Sequence, residues 1–219
     1  MNRYLSFSES YALLKKYDIP MVDSILVKNE KELARACSKL KFPLAMKISS
    51  PDIVHKTDVN AVVLNIHFLA SAKKEYKNLM KNIKKIYPKA RIEGIVMQKM
   101  GSGLEIIAGL KKDEIFGVAI IFGLGGIFVE ALEDVTLRIV PITKKDVYEM
   151  MDELKAKKIL FGMRGKKYNI KALGDLLLNV SKLGHAEKNI IEMDLNPIFV
   201  NEKNALVADV RILAGEKNL

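Results

Sequence analysis

Between the apolar runs FPLAMKIS and VNAVVLNI the sequence sets SPDIVHKTD, a loop with His55 and Lys56 flanked by Asp52 and Asp58, and with Lys47 just ahead. A neutral imidazole is nucleophilic near pH 7, since its unperturbed pKa is about 6.5. Two lysines close by disfavour imidazolium and keep the ring available for attack. The plainer account of His55 is a loop histidine satisfied by Asp58. Lys47 sits inside an otherwise apolar strand, so it needs either an anion within reach or a route for its ammonium to water. A nucleotide phosphate is one such anion. Lys99, in IVMQKM, invites the same reading.

A second group lies near the C-terminal end, in EMDLNP and VADVRI. Glu192, Asp194 and Asn196 alternate along a strand and share one face. If the chain turns near Lys203-Asn204, Asp209 returns beside Asn196. A carboxylate and an amide oxygen from neighbouring strands suit Mg²⁺, which takes few protein ligands and completes its shell with water and phosphate oxygens. A solvated strand face with a turn-forming Asn-Pro fits the same spacing. The run IFGLGGIFVE is neither a Walker loop nor a dinucleotide fingerprint. Its Gly123, Gly125 and Gly126 permit close backbone approach and exposed N–H groups that can hold a phosphate, or a plain hairpin turn. Glu130 and Arg138 follow in strand-like context, where an ion pair is the bland expectation.

These residues need a scaffold, and 219 residues suffice for one sizeable core or two small ones. A hydrophobic fraction of 49% excludes a mainly disordered chain. No apolar run is long enough to span a bilayer, and MNRYLSFSES lacks a signal-peptide centre, so a soluble cytoplasmic protein is expected. The net charge of +10 suits anionic partners. The lysines are spread along helical stretches, however, and no aromatic-interleaved basic motif points to nucleic acid. Cys37 is the single cysteine, which leaves no disulfide framework, and its setting predicts a small buried role.

The first part alternates helices (SESYALLKKY, KELARACSKL, SAKKEYKNLMKNIKKIY) with short strands (MVDSILV, PLAMKIS, VVLNIHF). Asn29 with Glu32 marks the N-terminus of the second helix. Beyond residue 90, strand-like runs punctuated by glycine give way to two helices, KKDVYEMMDELKAKK and NIKALGDLLLNVSKLG, and a final strand pair. The pattern predicts an α+β protein with a boundary near Met97 to Met100, dividing it into residues 1–97 and residues 98–219.

Taken together, KISSPDIVHKTDV, GLEIIAGLKKDEIFGVAIIFGLGGIFVEALEDVTLRIVPI, LFGMRG and EMDLNP with VADVRI resemble the ATP-grasp (beta) subunit of ADP-forming acyl-CoA synthetases, relatives of succinyl-CoA synthetase. The resemblance runs from about Leu5 to the C-terminus. It implies the ATP-grasp fold, with ATP held between two subdomains, and interconversion of acyl-CoA, phosphate and ADP with carboxylate, CoA and ATP. It implies that Lys47 meets the nucleotide phosphates, that Met97, Gln98, Lys99 and Met100 form the hinge beside the adenine, and that Glu105 faces the nucleotide. Gly125 and Gly126 fall in the glycine loop near the transferred phosphate, and Asn196 and Asp209 match Mg²⁺ ligands with Asp194 as neighbour. His55 matches a proposed phosphoryl carrier; Arg138 and Arg164 match positions without an assigned role. His67 and His185 have no such setting and are expected at the surface. Nothing here resembles a CoA-binding segment, so the resemblance implies a separate CoA-binding alpha subunit. The rival readings are another ATP-grasp carboxylate ligase and a non-catalytic nucleotide-sensing module. In one respect the chain departs from the family: where HK[ST]D-x-Gly-Gly is usual, it has Asn60-Ala61. Asn tolerates left-handed backbone, and Ala does not do so cheaply.

Overall fold

The computed structural model describes residues 2–53, 59–126, 133–163 and 165–216. The chain divides into two compact units. One holds Ser6–Glu9 and Val22–Met100; the other holds Met1–Leu5, Ser10–Met21 and Gly101–Leu219. The units part after Met100, and the first helix, α1 (Phe7–Lys16), is grouped largely with the later one. Leu14 explains this: it is fully buried in a cluster with Ile19 and the apolar strand residues that follow residue 100.

In the unit of residues 22–100, β2 (Ser24–Val27), β3 (Leu44–Ser49), β4 (Val62–Ile66) and β5 (Gly94–Lys99) form an antiparallel sheet in the order β2-β5-β3-β4. Helices α2 (Glu30–Leu40) and α3 (Leu69–Ile86) pack on it. The Asn29 side chain accepts hydrogen bonds from the N–H groups of Lys31 and Glu32 (3.1 and 3.0 Å), while Glu32 accepts from the Lys28 N–H at 2.7 Å. The expected N-terminal signal is therefore built. Cys37 is buried on the inner face of α2, as its setting predicts, beside Leu33 and Leu40. Alternation along β3 sends Leu44, Met46 and Ile48 into this core and turns Ala45, Lys47 and Ser49 to the opposite face.

In the other unit the sheet order is β1-β11-β9-β6-β7-β8, with β10 also paired to β9. The strands are β1 (Arg3–Tyr4), β6 (Leu104–Asp113), β7 (Gly117–Leu124), β8 (Val135–Ile139), β9 (Ile190–Val200), β10 (Ala205–Val207) and β11 (Val210–Ala214). Helices α4 (Lys144–Glu153) and α6 (Ile170–Ala186) cover one face, placing Leu176, Leu177, Val180 and Leu183 over Leu110, Ile120, Phe122 and Met193. The opposite face carries Glu105, Lys111, Glu192, Asp194 and Asn196.

Two expected elements are subdivided. The long helix KKDVYEMMDELKAKK ends at Glu153 and resumes as the short α5 (Lys157–Leu160). The buried Asp134 carboxylate takes the Lys155 and Ala156 N–H groups, at 2.8 Å each, and so diverts the chain from continuing the helix. The last strand returns in two pieces, because β9 is irregular at Asn196-Pro197. Opposite that pair the register with β6 slips between Ile106 and Ala108, which brings Ile198 and Val200 back to the core face after Met193 and Leu195. Accordingly β10 pairs with Ile198–Val200 and β11 with Ile190–Leu195. No helix among the described residues is long and apolar enough to cross a membrane.

Candidate functional site

On β3, Lys47 lies opposite Val62 of β4 and Val96 of β5, half-buried on the face away from the helices. Its strand continues into the polar loop. There Asp52 accepts from the Arg91 backbone N–H (2.7 Å) and Nε (3.2 Å) through one oxygen, and from the guanidinium NH2 (2.8 Å) through the other. These bonds hold the Asp52 carboxyl down at about 2. One residue pair earlier, Ser49 donates from its hydroxyl to Glu93 at 2.6 Å and accepts from the Glu93 N–H at 2.8 Å. On the far side Asn60 has φ of 51°, in the left-handed region, as its tolerance suggests. Ala61 is fully buried and its carbonyl accepts from the Ile48 N–H at 3.0 Å. Ala61 is not among the residues of positive φ, so the second position of the family pair needs no glycine backbone here. His55, with Lys56 and Asp58, lies outside the described residues, as do Glu130 and Arg164. His67 and His185 are exposed, as expected.

At the end of β5 the four residues that the resemblance implies as a hinge alternate in direction. Met97 is fully buried in the core of its unit, so only its backbone remains for a ligand. Gln98 is buried on the opposite face and donates to the Ser24 hydroxyl at 2.9 Å. Lys99 pairs with Asp23 at 2.6 Å, and its N–H also donates to the Asp23 carbonyl. Met100 is half-buried at the end of the unit.

In the other unit Glu105 stands on the polar face of β6, directly under the glycine loop. The Gly125 N–H donates to the Glu105 carbonyl at 2.7 Å. A Cβ on Gly125 would come within 3.0–3.1 Å of the Glu105 backbone and Cβ, and Gly126, at φ of 62°, lies against the Glu105 carboxylate. Glycine is required at both places, one for closeness and the other for left-handed backbone. Arg138 is committed elsewhere: its guanidinium pairs with Glu153, which raises its pKa further, and donates to the Leu137 carbonyl. Glu130, which the sequence offers as a nearby acid, lies outside the described residues; among those described, Glu153 and Glu149 on α4 face Arg138.

On β9, the Asn196 N–H donates to the Asp209 carbonyl at 3.2 Å, between β10 and β11. Asn196 and Asp209 therefore issue from hydrogen-bonded backbones, Asn196 exposed and Asp209 half-buried. Asp194, two residues back, is held by Arg211 across the strand pair at 2.9 Å. An amide and a carboxylate from adjoining backbones, with a second carboxylate, Asp194, already paired to Arg211, is a donor set whose chemistry fits a hard cation filling its shell from water and phosphate. No group of three or more His, Cys, Asp or Glu side chains suited to a metal occurs among the described residues. Spacing could reveal Asn196 with Asp209, because a returning strand brings them together; it gave no sign of Arg91, Glu93 or Arg211 as partners.

Residues 1–213 match the family model of the ATP-grasp domain. The chain is 45% identical to the ADP-forming acetate–CoA ligase II subunit beta of Pyrococcus furiosus, covering 94% of this chain and 89% of that one. It is 42% identical to the ADP-forming acetate–CoA ligase I of Archaeoglobus fulgidus over 96% of its own length, but spans only 31% of that longer protein. Among solved structures, the dinucleotide forming acetyl-coenzyme A synthetase 1 of Ca. Korarchaeum cryptofilum superposes with a TM-score of 0.92 at 37% identity, covering 97% of this chain and 94% of the other. That structure holds coenzyme A and Ca-AMPCP. A second structure of the same protein, at TM-score 0.87 and 35% identity over 97% and 94% of the two chains, holds acetyl-coenzyme A and a phosphorylated phosphohistidine segment.

Proposed function

Because this chain belongs to the ATP-grasp family, we propose that it is the nucleotide-binding, phosphoryl-transferring subunit of an ADP-forming acyl-CoA ligase, with acetyl-CoA as the reference substrate. The observation that carries the reading is the backbone hydrogen bond that sets Asp209 beside Asn196, in a chain that matches a ligase beta subunit over nearly its whole length. Asn196 and Asp209 would hold Mg²⁺, which, when bound, offsets phosphate charge. Lys47 attracts the nucleotide phosphates, and the backbone of Met97–Met100 borders the base. Glu105 and the Gly125-Gly126 backbone line the transferred phosphate. Such transfer asks chiefly for positioning and charge neutralisation. His55 carries the phosphoryl group: its P–N bond breaks as an ADP oxygen takes the phosphorus, leaving ATP and neutral imidazole. The CoA-binding and acyl-transfer steps belong to a separate alpha subunit, and the whole functions in the cytoplasm.

Mg·ATP should raise the melting temperature of the chain by mass action. Asn196→Ala with Asp209→Ala should abolish the Mg²⁺-dependent part of that rise while the unliganded chain stays folded. An undiminished rise in the double variant refutes the metal site. Acetyl-CoA, phosphate and Mg·ADP should give ATP only once the partner subunit is added; ATP made by this chain alone refutes the two-subunit reading.

A further inference from the structure

We propose that two copies of this chain associate through one sheet edge, β8 of each pairing antiparallel with β8 of the other. The pairing is independent of the reaction proposed above.

The larger sheet ends at β8, and among the described residues no strand pairs with its outer side. Val135, Leu137 and Ile139 stand on the open face of that strand, 43%, 59% and 46% exposed, beside Ala119 and Ile121 of β7. The same three residues turn their backbone outward. The Val140 N–H donates to the Val118 carbonyl at 2.9 Å. Bonded positions alternate along an antiparallel pair, so Thr136 and Arg138 face β7 while residues 135, 137 and 139 face the open side. An edge that joins unpaired peptide groups to alternating apolar side chains is a template for another strand. Elsewhere edges are blunted: β1 has two residues, and β4 is interrupted at Asn65, whose φ is 56°. β8 runs for five residues, and its one charge, Arg138, is turned to the helix side and held by Glu153.

Charge selects a second copy as the occupant. The chain carries a net +10, so much of its surface repels its like. At this edge the charges cancel: Arg138 and Lys145 stand against Glu149 and Glu153, joined by ion pairs. The strand is also its own complement. Centred on Leu137, an antiparallel pair sets Leu137 against Leu137, Val135 against Ile139 and Thr136 against Arg138, so every apolar side chain meets another. Centred one residue further on, it would set two Arg138 guanidiniums face to face, which like charge disfavours. Arg138 caps the Leu137 carbonyl at 2.9 Å, a bond that pairing exchanges for one from the facing Leu137 N–H. The strand and the helix edge above it fall short of the ~20–30 residues a side of a standard stable interface. The association is accordingly weak and set by concentration.

Sedimentation velocity of the unsubstituted chain, over dilutions from millimolar to micromolar, should show a dimer giving way to single chains. Leu137→Lys removes an apolar contact and sets two ammonium groups together, and should weaken the dimer about tenfold or more. The melting temperature of the dilute chain should not change. Leu137→Cys should be joined to its like by a short bismaleimide, since facing residues of such a pair lie about 5.5 Å apart. Cys37 is buried and stays silent. Leu64→Cys, 55% exposed but on β4, should give only background. The cross-link at Leu137→Cys should persist when the CoA-binding subunit is added. Single chains at every concentration overturn the pairing, as does a dimer that Leu137→Lys leaves intact or that gives no cross-link at Leu137→Cys. Loss of the cross-link on adding the CoA-binding subunit overturns it too, by giving the edge to that subunit. If Leu137→Lys fails to fold, the cross-link decides alone.

Discussion

Restoring the family glycines at Asn60-Ala61 is a perturbation whose cost can be worked out position by position. Asn60 occupies left-handed backbone at φ of 51°. Glycine there relieves residual strain but adds freedom to the unfolded chain, and the two offset to within about 0.5 kcal/mol. Asn60→Ala, by contrast, puts an ordinary side chain in that region, at a cost of about 1 kcal/mol. Ala61 is 0% exposed and already adopts ordinary backbone. Ala61→Gly removes a buried methyl, about 0.8 kcal/mol, and gives up a further ~0.7 kcal/mol of backbone restriction. The sum is about 1.5 kcal/mol, nearly all of the loss expected for the double glycine. With a urea slope of about 1–3 kcal/mol/M, the midpoint should fall by roughly 0.5–1.5 M. The chain has no Trp and seven Tyr, so tyrosine fluorescence and far-UV circular dichroism report the transition. A fall for Asn60→Gly with none for Ala61→Gly would reverse the assignment of the turn and refute the argument.

Gly125→Ala should destabilise its unit by about 1–3 kcal/mol, since the added Cβ meets backbone atoms of Glu105 that a bonded strand cannot withdraw; urea unfolding measures it. For pH, the Asp52 carboxyl is held at about 2 against an ordinary 3.8, chiefly by the Arg91 side chain. A depressed carboxyl stabilises the fold above its unfolded value and loses that contribution as pH falls through the folded one. Asp52→Asn should therefore flatten the stability profile between about pH 4 and about pH 2 and leave its shape unchanged above pH 5; a profile identical in the acid range counts against the pairing.

The strands of the first unit were legible because β3 and β5 are short apolar runs between breakers, and α2 because Asn29 and Glu32 stand three apart before an apolar stripe. The proximity of Asn196 to Asp209 was legible for a related reason, as a strand that turns must pass itself. What spacing could not supply were pairings made by topology. Arg91 meets Asp52 across 39 positions, and Asp134 interrupts a helix 21 positions later. Neither leaves a periodic trace. The bulge at Asn196-Pro197 was hidden too, since an Asn-Pro pair reads equally as a turn, and only the slipped register shows why β10 and β11 are separate.

The pairing of β1 with β11 has a consequence for synthesis on the ribosome. Residues 22–100 are contiguous, so this unit can gather nearly all its partners as soon as Met100 has emerged. The other unit begins with Arg3 and closes on Ala214, and Leu14 waits for a core that is made almost wholly of residues beyond 100. The strand of residues 3–4 and the helix of residues 7–16 thus leave the tunnel well ahead of the partners that fix their places. During that interval the apolar side of α1 is exposed to whatever else is nearby. Moving residues 1–21 behind residue 219 through a short linker would place β1 after its partner β11 in the order of synthesis, and should shorten that exposure while keeping the pairing of the two strands.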